Sequence, residues 1–311
     1  MNRRVFALGE TLLDIIFEGH NPVKAVPGGS MLNAAVSLGR TGIPVELISE
    51  FGDDPVGKIV QEFLSANYVS FLWSTIYSSN KTSIALAILD PARNANYSFY
   101  HDTPEYLNNF APPDFSENDI LVFGSYYSIK PSRLSYIRTF TDKASTNGSI
   151  LLYDPNIRAG HHVHMADFME SVIENMRTAS ILKGSDDDFQ TLYGTKDPEQ
   201  LYQKTRELCP FLIITRGAKD LVMCSPSFIS SFHVPALQPI STIGAGDNFN
   251  AGVVYGLIKQ GIRLKDLTDL KHEVWKTIIE YGIAFAGAAC ISIENYVPQG
   301  FDASKLFIKQ E

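Results

Sequence analysis

The sequence predicts a doubly wound α/β fold, in which helices cover both faces of a mostly parallel β-sheet. Its apolar residues gather in short, nearly continuous runs, which are typical of strands buried on both faces of a parallel sheet. Segments with the apolar spacing of helices lie between these runs, and such alternation favours this fold class. The chain has 311 residues, of which 45% are hydrophobic and 19% charged. We expect one domain of ordinary globular composition.

The predicted strands and helices alternate along the chain. Strands are predicted at Val5–Leu8, Val45–Ile48, 120–123, 150–153, 181–182 and 211–214. Helices are predicted at 30–38, 57–64, 133–145, 166–177 and 198–208. The helices between strands can serve as the crossover connections that a parallel sheet requires.

One part of the chain departs from this alternation. Residues 82–89 and 96–101 have the composition of strands, and a polar loop joins them without a helix. They should therefore pair as an antiparallel hairpin, which residues 12–17 and 23–26 could join. We expect a small β-sheet that projects from the main one, with aromatic side chains such as Phe99 available to cover a substrate.

Charge and cysteine content exclude several classes of function. Lys and Arg total 26 against 34 Asp and Glu, a net charge of -8, and a protein without a basic stripe is a poor partner for nucleic acid or an anionic membrane. The cysteines, Cys209, Cys224 and Cys290, are odd in number and far apart, which argues against disulfides and zinc. Glu10 and Asp14 interrupt the apolar N-terminal stretch, so it is not read as a signal peptide. We expect a cytoplasmic protein.

The sharpest motif is a glycine-rich segment, Gly244-Ala245-Gly246-Asp247. Two glycines separated by one residue allow a tight turn, and the apolar residues that follow recur at helical spacing, so the segment should open a helix. The amides at a helix N-terminus form an anion site. Asp247 would lie beside that site, either as a helix cap or as a general base that accepts a hydroxyl proton during phosphoryl transfer.

Two glycine-containing segments only mimic nucleotide-binding motifs. Segment 52–59 nearly matches a P-loop, but an isoleucine stands where the motif needs a magnesium-binding hydroxyl. Asp53 or Asp54 as a helix cap, with Pro55 in the first turn, explains this segment better. The loop before Asp247 is not a dinucleotide fingerprint, because a phenylalanine replaces its third glycine.

Taken together, the motifs resemble those of the PfkB (ribokinase-like) carbohydrate kinases. The segments similar to the family pattern follow in order along essentially the whole chain, at 9–14, 27–35, 38–42, 52–57, 154–158 and 244–247. The first and fifth of them look most like the fructokinase and 2-keto-3-deoxygluconate kinase branch. The resemblance implies one ribokinase-like domain over residues 1–311, with a lid formed by about 12–27 and 82–101. It also implies transfer of the γ-phosphoryl group of MgATP to a hydroxyl of a small carbohydrate, first of all fructose or a similar keto sugar.

The same resemblance implies the roles of individual residues. Asp247 corresponds to the catalytic base, and Gly244, Ala245 and Gly246 form the turn that supplies the anion hole. The substrate would be bound by Asp14, Gly28, Gly29, Asn33, Phe99 and Arg158. The nucleotide would be bound by Lys183, Ser185, Thr215, Gly217, Gly244, Gly246, Ala284 and Ala288.

Several positions depart from the family pattern. Asp188 keeps a carboxylate near the magnesium region but is shorter than the usual glutamate, so it should reach Mg²⁺ through water. Ser241 replaces a carboxylate that helps to hold a monovalent cation in relatives, and we do not expect potassium dependence. Asp220 replaces the second glycine of a turn beside the nucleotide. His101 replaces an arginine that related fructokinases often have, which leaves the sugar open.

Two alternative functions remain at this point. One is a nucleoside or other small-alcohol kinase, since fold alone does not fix the acceptor. The other is a catalytically silent sugar-binding protein, which the departures at Ser185, Asp220 and Ser241 would fit. The exposed edge expected for the lid strands also suggests a homodimer formed through the lid.

Overall fold

The computed structural model describes residues 3–89, 95–105, 107, 111–157, 167–292 and 294–303. Its strands are β1 (Val5–Leu8), β2 (Leu12–Glu18), β3 (Asn21–Gly28), β4 (Val45–Ile48), β5 (Glu50–Gly52), β6 (Val69–Ser70), β7 (Thr75–Tyr77), β8 (Ile84–Leu89), β9 (Ala95–Tyr100), β10 (Ile120–Gly124), β11 (Ile150–Asp154), β12 (Ile181–Ser185), β13 (Leu212–Arg216), β14 (Lys219–Cys224) and β15 (Ile229–Phe232). Its α-helices are α1 (Ser30–Arg40), α2 (Pro55–Ala66), α3 (Leu134–Thr146), α4 (Met169–Thr178), α5 (Asp186–Tyr193), α6 (Pro198–Thr205), α7 (Ala245–Lys259) and α8 (His272–Cys290).

The main sheet has nine strands in the order β15-β14-β13-β12-β11-β10-β1-β4-β6. The seven strands from β6 to β13 are parallel, and β14 and β15 extend the sheet in antiparallel orientation. The strand order reverses direction at β1, which pairs with both β4 and β10. Ligands of doubly wound sheets bind outside the carboxyl ends of the strands near such a switch point. The predicted doubly wound, mostly parallel fold is confirmed.

Alternate residues of the central strand β1 serve two separate cores. Val5 and Ala7 belong to the core on one face of the sheet, whereas Phe6 and Leu8 belong to the core on the other. All four side chains are fully buried. This is why the strand has no polar alternation, and it explains why continuous apolar runs predict the parallel strands well.

A second, four-stranded sheet has the order β3-β2-β8-β9. The predicted hairpin is present as β8 and β9, which pair in antiparallel orientation. Strand β2 pairs with β3 in antiparallel and with β8 in parallel orientation. We refer to these four strands as the small sheet. Its β2 begins four residues after β1 ends, so the small sheet rises beside the carboxyl edge of the main sheet.

The structure also contains elements that the sequence interpretation did not include. The short parallel pair β5 and β7, the edge strand β6, the β14–β15 hairpin and helix α5 were all missed. The missed strands are short or mix polar with apolar residues, so they lack a continuous apolar run. The predicted helices are present with ends shifted by a few residues. The cap prediction in segment 52–59 is confirmed for Asp54, whose side chain accepts a hydrogen bond from the Gly57 amide at 2.8 Å, with Pro55 opening α2.

A buried polar network lies behind the carboxyl edge of the main sheet. Arg133, which is fully buried, donates from Nε to Glu50 Oε1 at 2.5 Å, and the Tyr77 hydroxyl donates to the other Glu50 oxygen. The Arg133 guanidinium also donates to the carbonyl oxygens of Pro104 and Glu105 at 2.8 and 3.1 Å. One ion pair thereby joins β5, β7, the start of α3 and the chain that leaves the small sheet.

Two further observations concern the length of the helices and the state of the cysteines. None of the helices in the described part of the chain combines the length and apolar character needed to cross a membrane. Cys209, Cys224 and Cys290 all carry free thiols.

Candidate functional site

The glycine-rich turn opens helix α7, as the motif predicts. Gly244 is the N-cap residue and has a φ of 78°, in the left-handed region that favours glycine. A Cβ there would lie 2.6 Å from the Asn295 carbonyl oxygen. The buried Asn248 side chain donates to the carbonyls of both Gly244 and Asn295 at 2.8 Å. The turn is therefore fixed from two sides, and only glycine fits at its corner.

The turn presents amides at the start of α7. The Gly246 and Asp247 amides occupy the second and third helical positions, where the helix itself supplies no acceptor. The Ala245 amide donates to the Thr242 carbonyl at 3.2 Å. An anion at this helix end would thus be met mainly by the Gly246 and Asp247 amides, while Ala245 closes the turn.

Asp247 does not act as a helix cap. It is 3% exposed, and its Oδ1 accepts a hydrogen bond from Ser30 Oγ at 2.5 Å. Its Oδ2 accepts one from Asn33 Nδ2 at 2.8 Å, and Asn156 Nδ2 lies 3.4 Å from Oδ1. Three donors from α1 and from the loop after β11 hold the carboxylate directly behind Ser30, Asn33 and Asn156, which line the cleft between the two sheets.

This cleft is open to solvent, and the space between its walls has a volume of about 80 Å³. Its walls are polar on the main-sheet side and aromatic on the small-sheet side. The lining residues are Glu10, Leu12, Asp14, Gly29, Ser30, Asn33, Tyr97, Phe99, Ser125, Tyr126, Asn156, Ile243 and Asn295. Of the predicted substrate residues, Asp14, Gly29, Asn33 and Phe99 are brought together here.

Backbone proximity explains the two glycines between β3 and α1. A Cβ at Gly28 would lie 2.1 Å from Asp14 Oδ2, and one at Gly29, whose φ is 126°, would lie 2.2 Å from the Glu10 carbonyl oxygen. Gly28 therefore lies against the predicted substrate carboxylate rather than in the cleft wall. Glycine at these positions lets Asp14 lie flat against the turn.

Asn33 has one half of its amide committed and the other half open. Its Nδ2 donates to Asp247, whereas its Oδ1 is buried and has no hydrogen-bond partner among the described residues. An unpaired buried acceptor is costly. It therefore points to a ligand that carries a hydrogen-bond donor, such as a sugar hydroxyl. The predicted Arg158 lies outside the described residues.

Lys183 lies beneath the helix start. Its Nζ is 2.7 Å from Asp154 Oδ2, and a Cβ added at Gly246 would lie 3.0 Å from that Nζ. Burial by itself would lower the pKa of Lys183, but the neighbouring carboxylates, Asp154 first and then Asp188, outweigh burial and raise it. Lys183 therefore carries a positive charge beside the amides of the turn, where an anion would lie.

Ser185 and Asp188 form a reciprocal cap at the start of α5. Ser185 Oγ accepts from the Asp188 amide at 3.0 Å, and Asp188 Oδ2 accepts from the Ser185 amide at 2.7 Å. Asp188 Oδ1 accepts from the Ile157 amide at 2.7 Å. Burial, followed by the charge of Asp154, raises the pKa of Asp188. Oδ2 accepts bonds from both the amide and the hydroxyl of Ser185, whereas Oδ1 accepts one and keeps a lone pair that could face a metal ion or its water.

The other residues predicted to bind the nucleotide lie on both sides of the turn that opens α7. Thr215 pairs with Ser185 across β12 and β13, and Gly217 follows with a φ of 62°. On α8, Ala284 and Ala288 are partly exposed. The close contact of α7 with α8 is instead made through Gly252 and Gly282. A Cβ at Gly252 would lie 2.3 Å from a backbone oxygen of α8, and one at Gly282 would lie 2.7 Å from the ring of a phenylalanine on α7.

The departures from the family pattern have local structural roles. Asp220 accepts hydrogen bonds from the His233 ring and the Val234 amide, and the Val234 bond leads the causes that lower the pKa of Asp220. Ser241 Oγ accepts from the Ile243 amide at 3.2 Å. Within the described part of the chain, no group of three or more His, Cys, Asp or Glu side chains is arranged to hold a metal ion.

Glu10, Ser30 and Asn156 are site residues to which the sequence interpretation gave no role. Each stands inside a segment that resembles the family pattern, which was the available signal. Glu10 follows β1 and faces the cleft, and burial raises its pKa to about 7. Asn156 has a φ of 42°, a conformation that asparagine tolerates better than most residues.

Comparison with known proteins agrees with this geometry. Residues 2–294 match the profile described as pfkB family carbohydrate kinase. Curated relatives include a fructokinase of Klebsiella pneumoniae, 25% identical over 267 residues that cover 84% of this chain and 87% of the relative. They also include an ATP-dependent 6-phosphofructokinase of Thermoanaerobacterium thermosaccharolyticum, 26% identical over 299 residues that cover 91% of this chain and 89% of the relative.

A solved structure shares the fold at similar coverage. It is a double mutant of the fructokinase from Vibrio cholerae O395, bound to fructose, ADP and potassium ion. It is 23% identical with a TM-score of 0.82, over 94% of both chains. The profile match spans nearly the whole chain, and the fructokinase relatives agree with the predicted branch. The chain therefore belongs to the pfkB family of carbohydrate kinases and is a phosphotransferase.

Proposed function

We propose that this protein is an ATP-dependent sugar kinase whose acceptor is fructose or a similar keto sugar, with Asp247 as catalytic base. One observation carries the proposal. The Asp247 carboxylate lies against Ser30, Asn33 and Asn156, which line the polar cleft. It also stands in the turn that opens α7, where free amides and the charged Lys183 could bind an anion. A base that lies between a hydroxyl site and a phosphate site is what phosphoryl transfer requires.

In the proposed reaction, a sugar hydroxyl donates its hydrogen bond to Asp247. As the hydroxyl oxygen forms a bond to the γ-phosphorus of ATP, its proton passes to Asp247. The bond from the γ-phosphorus to the bridging oxygen breaks at the same time, and ADP leaves with that oxygen. The Gly246 and Asp247 amides and the Lys183 ammonium stabilise the negative charge on the transferred group.

The sugar would lie between the two sheets. Asp14 would accept hydrogen bonds from its hydroxyls, Asn33 Oδ1 would gain its missing donor, and Phe99 would cover an apolar face. Arg158 stays a prediction for this site. Closure of the small sheet, residues of about 12–27 and 82–101, would exclude water and limit ATP hydrolysis.

The nucleotide would lie along the carboxyl edge of β12 and β13. Its phosphates would approach Lys183, Ser185, Thr215, Gly217 and the turn before Asp247, and its base would lie against the partly exposed Ala284 and Ala288. Asp188 could meet a Mg²⁺ that arrives with the phosphates, and the ion would keep most of its water because Mg²⁺ dehydrates reluctantly. Bound there, Mg²⁺ would neutralise phosphate charge.

Substitution of Asp247 by Asn tests the proposal. ADP release is measured with MgATP against fructose, 2-keto-3-deoxygluconate, ribose, tagatose 6-phosphate, fructose 6-phosphate and adenosine. Loss of the base should lower kcat by about 10²- to 10⁴-fold, while sugar binding by thermal shift persists. The matched control is Asp53→Asn, since Asp53 is an exposed carboxylate outside the cleft. Turnover of Asp247→Asn within about tenfold of the unmodified protein would refute the role of the base.

The same panel decides between the alternatives. The stacked rings of Tyr97 and Phe99, 5.7 Å apart and nearly parallel, could cover a heterocycle as well as a sugar, so preferred turnover of adenosine would indicate a nucleoside kinase. A protein that binds sugar but turns over none of the panel would be a silent binder.

A homodimer through the small sheet is a further part of this proposal. Its side chains Val23, Ile88 and Tyr100 are 52%, 44% and 55% exposed, and β9 is an edge strand that can pair with another chain. Light scattering that gives the mass of one chain at micromolar concentration would exclude it.

A further inference from the structure

Glu10 and His101 meet at the edge of the cleft from different sheets. Glu10 follows β1 of the main sheet, and its Oε1 lies 3.4 Å from Nδ1 of His101, which follows β9 of the small sheet. The same His101 nitrogen is 3.1 Å from Ser83 Oγ, just before β8. About a quarter of the Glu10 side chain and a third of the His101 side chain remain exposed. Glu10 lines the cleft, and His101 is its neighbour just outside the lining residues.

The aromatic wall of the cleft ends at this pair. The rings of Tyr97 and Phe99 stack at 5.7 Å, and the imidazole of His101 continues the column at 6.0 Å from Phe99 with nearly parallel planes. Tyr97 and Phe99 line the cleft, so a substrate that lies along these rings would meet the imidazole and the Glu10 carboxyl at one end.

The charges around the cleft are predominantly acidic. Glu10 and Asp14 line it, and Asp247 borders it through Ser30 and Asn33. None of the described lining residues is a lysine or an arginine.

The basic groups described near the cleft each lie beside a carboxylate of the protein. Lys183 bonds to Asp154, and His101 faces Glu10. A phosphate or carboxylate on the substrate would enter a site that repels it, whereas hydroxyl groups would find acceptors.

We propose that Glu10 and His101 determine the substrate specificity of this site, an inference that rests on the proposed sugar kinase function. The two residues make the cleft select neutral polyhydroxy substrates over phosphorylated or carboxylated ones. Glu10 accepts a hydrogen bond from a substrate hydroxyl. His101 contacts the Glu10 carboxyl through Nδ1 and orients it.

The environment of Glu10 supports this role. Burial, the largest influence, raises its pKa to about 7. The positive charges of Lys130 and Arg133 oppose the rise, and the negative charges of Glu50 and Asp14 add to it. The carboxyl is ionised above neutrality, where its negative charge disfavours a second anion. The family comparison does not settle the choice, because the relatives include both a fructokinase and a 6-phosphofructokinase.

The experiment compares kcat/KM for fructose with that for fructose 6-phosphate, a matched pair that differs only in the phosphate. It uses the full-length protein, Glu10→Gln, His101→Arg and the double variant. The controls are Glu62→Gln and His20→Arg, both at exposed positions outside the cleft. His20 lies in the turn at the opposite end of β2 and β3 from Gly28, so it tests the same chemistry far from the site.

The unmodified protein should prefer fructose. Glu10→Gln should lower kcat/KM for fructose by about tenfold, because a neutral amide oxygen replaces the charged acceptor and accepts a weaker hydrogen bond. The double variant, which removes the carboxylate and adds a cation, should move the ratio toward fructose 6-phosphate by a further tenfold or so. The two controls should leave the ratio unchanged.

Two results would overturn the inference: preference of the unmodified protein for fructose 6-phosphate, or an unchanged ratio in a double variant that melts as cooperatively as the unmodified protein. If the unmodified protein turns over neither sugar, the proposed function fails separately. The same ratio is then taken from dissociation constants measured by calorimetry, and an equal affinity for both sugars overturns the inference.

Discussion

Glu10→Gln should stabilise the protein at alkaline pH even as it impairs the site. Burial raises the pKa of Glu10 from an ordinary 4.5 to about 7. The folded chain thus keeps a proton that the unfolded chain has already lost between these two values. Stability should fall as the pH rises from about 4.5 to 7, because the unfolded state binds fewer protons there. Above pH 7 the cost is complete.

The magnitude follows from the difference between the two pKa values. At about 1.36 kcal/mol for each pKa unit, ionised Glu10 costs the folded state roughly 3 kcal/mol above neutrality. A glutamine keeps the shape without the charge, so the variant escapes this cost. An unfolding entropy of about 2.1 cal/mol/K per residue gives roughly 0.65 kcal/mol/K for this chain. The variant should melt about 5 °C higher than the unmodified protein at pH 8, and the gain should disappear toward pH 4.5.

Calorimetric or fluorescence melting between pH 4.5 and 8.5 measures this difference. Glu62→Gln, at an exposed position on α2, serves as the control and should show no pH-dependent gain. His101 contacts Glu10, so His101→Gln in both backgrounds separates its contribution. A gain of the same size at pH 5 and pH 8 would refute the reasoning, since it would show that Glu10 carries no proton near neutrality.

Three other predictions address the framework, the anion site and ion dependence. Arg133→Leu should lower the free energy of unfolding by about 3–5 kcal/mol, because it leaves Glu50 buried without its partner. The control Arg138→Leu, which breaks an exposed ion pair, should lower it by less than about 1 kcal/mol. Equal losses in urea unfolding would contradict a structural role for the Arg133–Glu50 pair. Lys183→Met should lower kcat by about 10²- to 10³-fold while fructose binding is retained. The control Lys196→Met, at an exposed ion pair, should leave kcat unchanged. Similar activity of the two variants would show that Lys183 does not contribute to the anion site. Replacing potassium by tetramethylammonium should leave turnover unchanged, and a loss that potassium restores would show that Ser241 does not abolish cation dependence.

The sequence predicts the structural features that depend on residues close together along the chain. The strands of the parallel sheet are visible as apolar runs because both of their faces are buried. The Asp54 cap and the left-handed turn at Gly244 are visible because each depends on a few consecutive residues.

The features that sequence reasoning missed are made by distant segments. Glu10 and His101 meet only because two sheets converge, and no periodicity along either strand announces the contact. Arg133 has the appearance of an ordinary polar residue at a helix start, yet it is fully buried against Glu50. Such pairings depend on the tertiary arrangement, which single-sequence patterns do not encode.

The hydrogen bonds of the site explain why Asp247 suits a polyhydroxy substrate in particular. Ser30 and Asn33 donate to its two oxygens, and these bonds fix the orientation of the carboxylate. Asn33 meanwhile directs an unpaired acceptor oxygen into the same region. A single hydroxyl could satisfy only one of these groups. A ligand with two neighbouring hydroxyls could donate one to Asp247 and the other to Asn33, which removes the cost of the buried acceptor. Asn33→Asp should therefore weaken fructose binding more than Asn33→Ala does, because the aspartate sets a second negative charge against Asp247 in place of its amide donor. If calorimetry gives the opposite order, Asn33 does not link the base to the substrate.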